Sequence, residues 1–213
     1  MANPTWDLIH AERRQLVNDL RTLTPEQWRT TSLCPDWTIH QMLGHIVALT
    51  KQTPPKFFTK LAVSGFRFDK MVAADVAKQS AGTPADTLAE LTRHITDTTA
   101  PPGPVDSWVG EMVVHGADIR RPLGLTYVPP VATTRQVADF YKNSNLLIGS
   151  KRRINGVQLI ATDTDWTHGI GPKVQGPILS LVQAMTGRSV AIADLTGEGV
   201  TLLSARMAPH TSD

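Results

Sequence analysis

The sequence predicts an α+β protein in which an N-terminal four-helix bundle precedes a small C-terminal α/β domain. Its 213 residues are enough for one large domain or two small ones. Four segments of the first half carry apolar residues at helical spacing and are separated by proline-marked loops, as is typical of a bundle. In the second half, short apolar runs alternate with glycines, which indicates strands. We expect the join at Pro129–Pro130, with domains over residues 1–129 and 130–213.

The composition is that of an ordinary globular protein, with 41% hydrophobic and 19% charged residues. The longest basic clusters, Lys151–Arg153 and Arg120–Arg121, are too short for a nucleic-acid interface. The one cysteine, Cys34, excludes a disulfide framework and favours a reducing compartment. The chain shows no signal peptide and no run of about 18 apolar residues, so we expect a cytoplasmic protein without a membrane partner.

The first two helices have clear start signals. The first follows Asn3–Pro4, and its apolar stripe consists of Ile9, Leu16, Leu20 and Leu23. The second begins after Thr38, which has capping-box spacing with Gln41. Its stripe consists of Ile39, Met42, Leu43, Ile46 and Val47.

The next two helices are predicted over Thr83–Thr98 and Val105–Pro122, because the prolines of the segment 101–104 bar helical geometry between them. A further helix is predicted over Thr134–Leu147, and another from Gly176–Pro177 to Met185. The predicted strands are Val157–Ala161, Val190–Ile192 and Val200–Leu203.

A group of polar side chains lies on the apolar side of the fourth helix. Glu111 and His115 are four residues apart and share a face, and Asp118 falls within about 20° of it. The residues that flank them are apolar: Trp108, Met112, Val114 and Ile119. Burying an unpaired carboxylate is costly, so we expect something cationic to meet Glu111.

His45, at the rim of the second helix's stripe, is a natural partner for this pair. Two imidazoles and a carboxylate suit zinc, and three protein ligands leave a coordination position for water or substrate. The alternative is that Glu111 and His115 form a surface pair worth a few tenths of a kcal/mol.

Two motifs then suggest a family. The segment Leu33–Thr38 with Gly44–His45, and the segment Gly110–Ile119, resemble the mycothiol-dependent maleylpyruvate isomerase family of DinB-like four-helix-bundle metalloproteins. Further segments are similar to the small C-terminal domain of these proteins: Ala161–Trp166, Gly176–Pro177 and Thr186–Arg188. The resemblance covers nearly the whole chain in order.

The resemblance implies a DinB-like bundle in which His45, Glu111 and His115 hold a divalent metal, usually zinc. It also implies mycothiol as a cosubstrate that is transferred to, or isomerises, a small electrophilic substrate. A metal stabilises the thiolate at neutral pH, and the thiolate can add to a conjugated double bond. Because the resemblance implies few true isomerases, we favour an S-transferase over a cis-trans isomerase.

Other residues have open roles. Asp118 could be a fourth ligand, could orient His115, or could pair with Arg120 or Arg121, and orienting His115 is favoured. Arg188 is a candidate catalytic residue for an acidic substrate group, with helix C-terminal carbonyls as its alternative partners. Cys34 is expected to be a semi-buried loop residue rather than a nucleophile.

Two other functions remain open. The chain could be a non-catalytic metal-containing protein that binds a small ligand, or a metal-dependent hydrolase. For the enzyme, the expected partners are a small-molecule thiol and an electrophilic substrate, and the expected assembly is a monomer or homodimer.

Overall fold

The computed structural model describes residues 3–146 and 148–207 and confirms the α+β class, with many helices and a three-stranded sheet. The chain divides into two compact units, Met1–Tyr127 and Val128–Asp213. That these units are separate folding domains with a join at Pro129–Pro130 stays a prediction. None of the described helices is long and apolar enough to cross a membrane.

The described part of the N-terminal unit is helical. Its helices are α1 Thr5–Leu20, α2 Pro25–Arg29, α3 Ile39–Lys51, α4 Pro54–Val63, α5 Phe68–Gln79, α6 Pro84–Arg93 and α7 Val105–Arg120. Helices α1, α7, α3 and α6 form a closed ring in which each packs against the next, and α5 also packs on α3. The predicted stripes of α1 and α3 face this core, where Ile9, Leu16, Ile39 and Leu43 are fully buried.

The four predicted bundle helices correspond to α1, α3, α6 and α7. The capping box is confirmed, because Gln41 N–H donates to Thr38 Oγ1 at 3.3 Å and Thr38 N–H donates to Gln41 Oε1 at 2.9 Å. The predicted end at Thr98 is wrong, since α6 ends at Arg93. Beyond it, the carbonyls of His94 and Asp97 accept hydrogen bonds from Arg13 instead of continuing the helix. Helix α7 ends at Arg120 rather than Pro122.

Three helices of this unit were not predicted, and each lacks a long apolar stripe. Helix α2 has five residues and begins with a second capping box, between Thr24 and Gln27. Helix α4 buries none of its residues, and α5 buries only Met71, Asp75 and Val76. Hydrophobic periodicity cannot reveal helices that contribute so little to the core.

The C-terminal unit combines short helices with the sheet. Its elements are α8 Val131–Tyr141, α9 Ser150–Arg153, β1 Gln158–Ala161, β2 Thr167–His168, β3 Lys173–Gly176, α10 Ile178–Met185, a 3₁₀ helix Ser189–Asp194 and α11 Val200–Ala205. The central strand β1 pairs antiparallel with β2 and parallel with β3. Leu159 is therefore in register with His168 on one side and Val174 on the other. Helix α10 packs against α8, β1 and β3.

Only the first of the predicted strands is confirmed, as β1. The strand at Val190–Ile192 is wrong because this run forms a 3₁₀ helix, and the strand at Val200–Leu203 is wrong because it forms α11. Runs of three or four apolar residues do not distinguish a strand from a short helix. The helix predicted over Thr134–Leu147 is α8, which ends at Tyr141, and Leu147 itself lies outside the described residues.

Candidate metal centre

The structure brings His45 of α3 together with Glu111 and His115 of α7. Glu111 and His115 are one helical turn apart and share a face, and α3 packs against α7 so that His45 meets them. Glu111 Oε2 lies 3.0 Å from His115 Nε2 and 3.4 Å from His45 Nε2. The two imidazole rings stand edge to face, with centroids 4.9 Å apart. One carboxylate oxygen thus faces two imidazole nitrogens.

This cluster is largely withdrawn from solvent. The side chains of His45 and His115 are 11% and 13% exposed, and that of Glu111 is 25% exposed. Glu111 is therefore the most accessible of the three. An ion held here would be shielded on most sides but would remain reachable from the Glu111 side.

Asp118 fixes the orientation of the His115 ring. This aspartate is fully buried, and its Oδ2 lies 2.9 Å from His115 Nδ1. When Nδ1–H donates to Asp118, the Nε2 of a neutral His115 carries a lone pair. That lone pair and the Glu111 oxygen are both acceptors, 3.0 Å apart. A proton or a cation must lie between them, which is the arrangement that a metal ion satisfies.

The electrostatics of the cluster also favour positive charge. Burial tends to raise the pKa of Glu111, but the charge of His115 and the hydrogen bonds from both histidines outweigh burial and lower it. For His115, burial opposes the charged form, yet Glu111, Asp118 and Cys34 raise its pKa well above the usual value. Burial lowers the pKa of His45, which favours the neutral form that a metal needs.

The donor set fits a divalent metal. The ligand atoms of His45, Glu111 and His115 all lie within 4.8 Å of one another. Imidazole nitrogen and carboxylate oxygen are common zinc donors, and catalytic zinc sites keep three protein ligands and one open position. A second group shares His115 and adds Cys34 and Asp118, again with ligand atoms within 4.8 Å.

Sequence spacing missed two neighbours of the cluster, both on the loop before α3. Cys34 Sγ lies 3.6 Å from Asp118 Oδ2, although 84 residues separate the two in sequence. The ring centroid of Trp37 lies 5.1 Å from that of His45. Leu33 N–H donates to the Asp118 carbonyl at 3.1 Å, which holds the loop against α7. The sequence feature that indicates both neighbours is the motif Leu33–Thr38, which contains Cys34 and Trp37.

The remaining candidates lie elsewhere. Arg188 belongs to the C-terminal unit, where its Nη1 donates to the Thr186 carbonyl at the end of α10, at 3.1 Å. This contact is the alternative role predicted from the sequence, in which Arg188 binds carbonyls at the end of a helix. A catalytic role for Arg188 stays a prediction. Arg120, an alternative partner of Asp118, donates from Nε to Asp19 Oδ2 at 2.7 Å.

Comparisons with known proteins agree with this fold. Residues 9–110 match the family model of the mycothiol maleylpyruvate isomerase N-terminal domain. Two solved structures, of the mycothiol-dependent maleylpyruvate isomerase and of a histidine-to-alanine mutant of it, share the fold. Each has a TM-score of 0.63 and covers 91% of both chains, with 11% identity for the former and 12% for the mutant. No curated protein matches the chain significantly.

Proposed function

Because residues 9–110 match the family model of the mycothiol maleylpyruvate isomerase N-terminal domain, we propose that the chain is a zinc-dependent enzyme that activates mycothiol. Its reaction transfers this thiol to a small electrophilic substrate or uses it to isomerise that substrate. His45, Glu111 and His115 hold the zinc or another divalent ion. The family supports the use of mycothiol, while the identity of the metal rests on the chemistry of these donors.

The observation that carries the proposal is the contact between two potential metal ligands, Glu111 and His115, which a proton bridges until an ion replaces it. Their facing atoms are 3.0 Å apart, and the hydrogen bond to Asp118 directs the proton of His115 to the opposite nitrogen. Two histidines and one carboxylate leave an open position for an exchangeable ligand. When bound, a divalent ion supplies the positive charge that keeps a small thiol ionised near neutral pH.

The chain's own residues prepare the site for this chemistry. Glu111 neutralises one positive charge, and Asp118 holds the His115 ring in one tautomer and one orientation. Trp37 stacks at a tilt beside His45 and covers that ring. Because the histidines are nearly buried, water is excluded from most of their surroundings.

The reaction itself is a conjugate addition. The thiolate sulfur forms a bond to one carbon of a double bond, and the π electrons move onto the conjugated carbonyl. If a proton is then added to the carbanion, the thioether is the product of an S-transferase. If the former double bond rotates and the C–S bond breaks, the thiolate leaves with its electron pair and the isomerised alkene remains.

A thiol-dependence assay tests the proposal. The zinc-loaded protein is incubated with mycothiol and a panel of electrophilic alkenes, with His115→Ala as the inactive control. We expect turnover that requires mycothiol and begins at a pH well below about 8.5, the ordinary pKa of a thiol. Turnover of an ester or amide without any thiol would instead support the metal-dependent hydrolase.

A spectroscopic experiment separates the enzyme from a binding protein. In the cobalt-substituted protein, mycothiol should change the visible absorption of the metal, because a sulfur donor enters its coordination sphere. A spectrum that mycothiol leaves unchanged would contradict the proposal and favour the binding protein. The cytoplasmic location and the monomeric or homodimeric state stay predictions.

A further inference from the structure

Residues 54–70 carry a group of large apolar side chains that face solvent. These residues form α4, the turn after it and the start of α5, and we call them the α4–α5 surface. Four of the five phenylalanines of the chain lie here. Phe58, Phe66 and Phe68 are 58%, 78% and 38% exposed, and Val63 is 84% exposed. Because α4 buries none of its residues, packing within the chain does not account for this apolar character.

The local backbone holds one of these rings in solvent. Helix α4 ends in a turn where Phe66 N–H donates to the Leu61 carbonyl at 2.8 Å, and Phe66 has a φ of 59°. This left-handed conformation is uncommon for a residue as bulky as phenylalanine. Phe57 packs against Phe58 and Phe68, with ring centroids 5.4 and 6.4 Å apart, which joins α4 to α5. The exposed rings therefore belong to a well-defined turn and not to a loose end.

The same region is the positively charged part of the chain. Residues 51–80 contain six basic and two acidic side chains, a net charge of +4, whereas the whole chain carries +2 and its remainder therefore −2. The two acidic groups pair with Lys60 and Arg67, at 2.5 and 3.1 Å. Lys56 and Lys70 are exposed. The α4–α5 surface thus combines exposed phenylalanines with a local excess of cations.

We propose that the α4–α5 surface binds peripherally to a lipid bilayer that contains anionic phospholipids. Short amphipathic segments with apolar and basic side chains lie in the membrane interface, where the apolar groups enter between the headgroups and the cations meet the phosphates. A bilayer requires no matching shape, only protruding apolar side chains beside cations. A second copy of this chain is a poorer occupant, because two surfaces of the same charge repel each other.

This inference goes beyond the proposed function and does not depend on it. Because peripheral binding needs no spanning helix, it replaces the expectation that the chain has no membrane partner. Membrane contact constrains the pattern of apolar and basic side chains rather than the identity of each residue.

Sedimentation of the full chain with lipid vesicles tests the proposal. Vesicles of equal parts phosphatidylcholine and phosphatidylglycerol are compared with vesicles of phosphatidylcholine alone. We expect at least tenfold tighter binding to the anionic vesicles, and weaker binding as salt is added, because salt screens exposed charges. Protein that stays in the supernatant with the anionic vesicles at low salt would overturn the proposal.

Combining Phe58→Ser with Phe66→Ser tests the apolar contact. We expect this variant to bind the anionic vesicles at least tenfold more weakly, because both rings are lost from the interface. The control combines Val128→Ser with Ile170→Ser, at residues of the C-terminal unit that are 60% and 90% exposed, and should bind within twofold of the wild type. Equal binding by the phenylalanine variant and its control would contradict insertion of these rings.

Combining Lys56→Gln with Lys70→Gln tests the charge. We expect at least fivefold weaker binding to the anionic vesicles. The control, Lys151→Gln with Arg152→Gln, removes the same net charge from exposed residues of α9 and should stay within twofold of the wild type. Equal losses in both would show that net charge and not this surface drives binding. If the phenylalanine variant does not fold, this comparison decides the outcome.

Sedimentation equilibrium without lipid distinguishes a bilayer from a second copy of the chain. We expect the wild type and the phenylalanine variant to have the same mass, and all variants to keep the zinc content of the wild type, because none of them changes the metal centre. A dimeric wild type and a monomeric phenylalanine variant would instead identify the α4–α5 surface as an interface between copies, and the proposal would be wrong.

Discussion

His115 and Asp118 are joined across one turn of α7 by a hydrogen bond of 2.9 Å, and the Asp118 side chain is fully buried. The same oxygen of Asp118 accepts the weak S–H donor of Cys34 at 3.6 Å. A buried carboxylate with these two partners has little freedom to turn. The orientation of His115, and with it the direction of its Nε2 toward Glu111, is therefore set before any ion binds.

We predict that His115→Ala abolishes stoichiometric metal binding. His45 and Glu111 would remain on separate helices, and two donors cannot hold the ion tightly. The zinc content is measured by elemental analysis after dialysis against a weak chelator, and we expect about one ion per wild-type chain and under a tenth in the variant. His10→Ala, which changes a histidine of α1, is the control and should keep its zinc. Full retention by His115→Ala would refute the ligand assignment.

Asp118→Asn should reduce zinc affinity without removing the site. The amide oxygen can still accept a hydrogen bond from His115 Nδ1, but it lacks the negative charge that makes His115 a stronger metal ligand. Loss of such a hydrogen-bond partner typically lowers metal affinity about 10–100-fold. Competition with a chromogenic chelator measures the change. Asp36→Asn, on an exposed residue of the loop before α3, serves as the control and should match the wild type. An Asp118→Asn affinity equal to that of the wild type would show that the contact does not support the ligand.

Zinc binding should release a proton near pH 7. The pKa of His115 is raised because Glu111, Asp118 and Cys34 together outweigh its burial, so this imidazole is protonated in the metal-free protein. The ion must displace that proton, and the apparent affinity should therefore fall as the pH is lowered below this raised pKa. Calorimetric titration with zinc in buffers of different ionisation enthalpy measures the number of protons released per ion bound. Proton release that is absent at pH 7 would contradict the assigned direction of the shift.

Tyr127→Phe should destabilise the N-terminal unit by about 1–3 kcal/mol, the typical cost of leaving a buried acceptor unpaired. Tyr127 donates from its hydroxyl to Glu12 Oε1 at 2.7 Å, and Glu12 is only 2% exposed. Urea unfolding of the metal-free protein measures the free energy. In a Glu12→Gln background the same substitution should cost less than half as much, because the shared contact is already changed. Equal costs in both backgrounds would show that the pair is not coupled.

The sequence predicted features that depend on neighbours within one or two helical turns. One such feature is the capping box formed by Thr38 and Gln41, and another is the shared helix face of Glu111 and His115. Both appear in the structure. That His45 would meet them was inferred from two helices with complementary polar groups and from the family resemblance. The structure places the three together, although their role as metal ligands stays a prediction.

The sequence does not predict features that depend on packing between segments far apart in the chain. The contact of Cys34 with Asp118 joins a loop to a helix 84 residues away, and no spacing rule connects them. The strand β3 was missed because Lys173 and Gln175 alternate with Val174 over only four residues. The runs Val190–Ile192 and Val200–Leu203 were misassigned because their conformation depends on the surfaces they pack against.

Helix α4 follows α3 at once, yet none of its residues is buried, and Phe58 is 58% exposed. Packing therefore restricts its residues less than those of the ring, although Lys60 still pairs with the buried Asp75 of α5. The proposed metal donors lie on α3 and α7, which pack directly against each other. Over evolutionary time, insertions, deletions and substitutions should accumulate faster in Pro54–Val63 than in the helices of the ring.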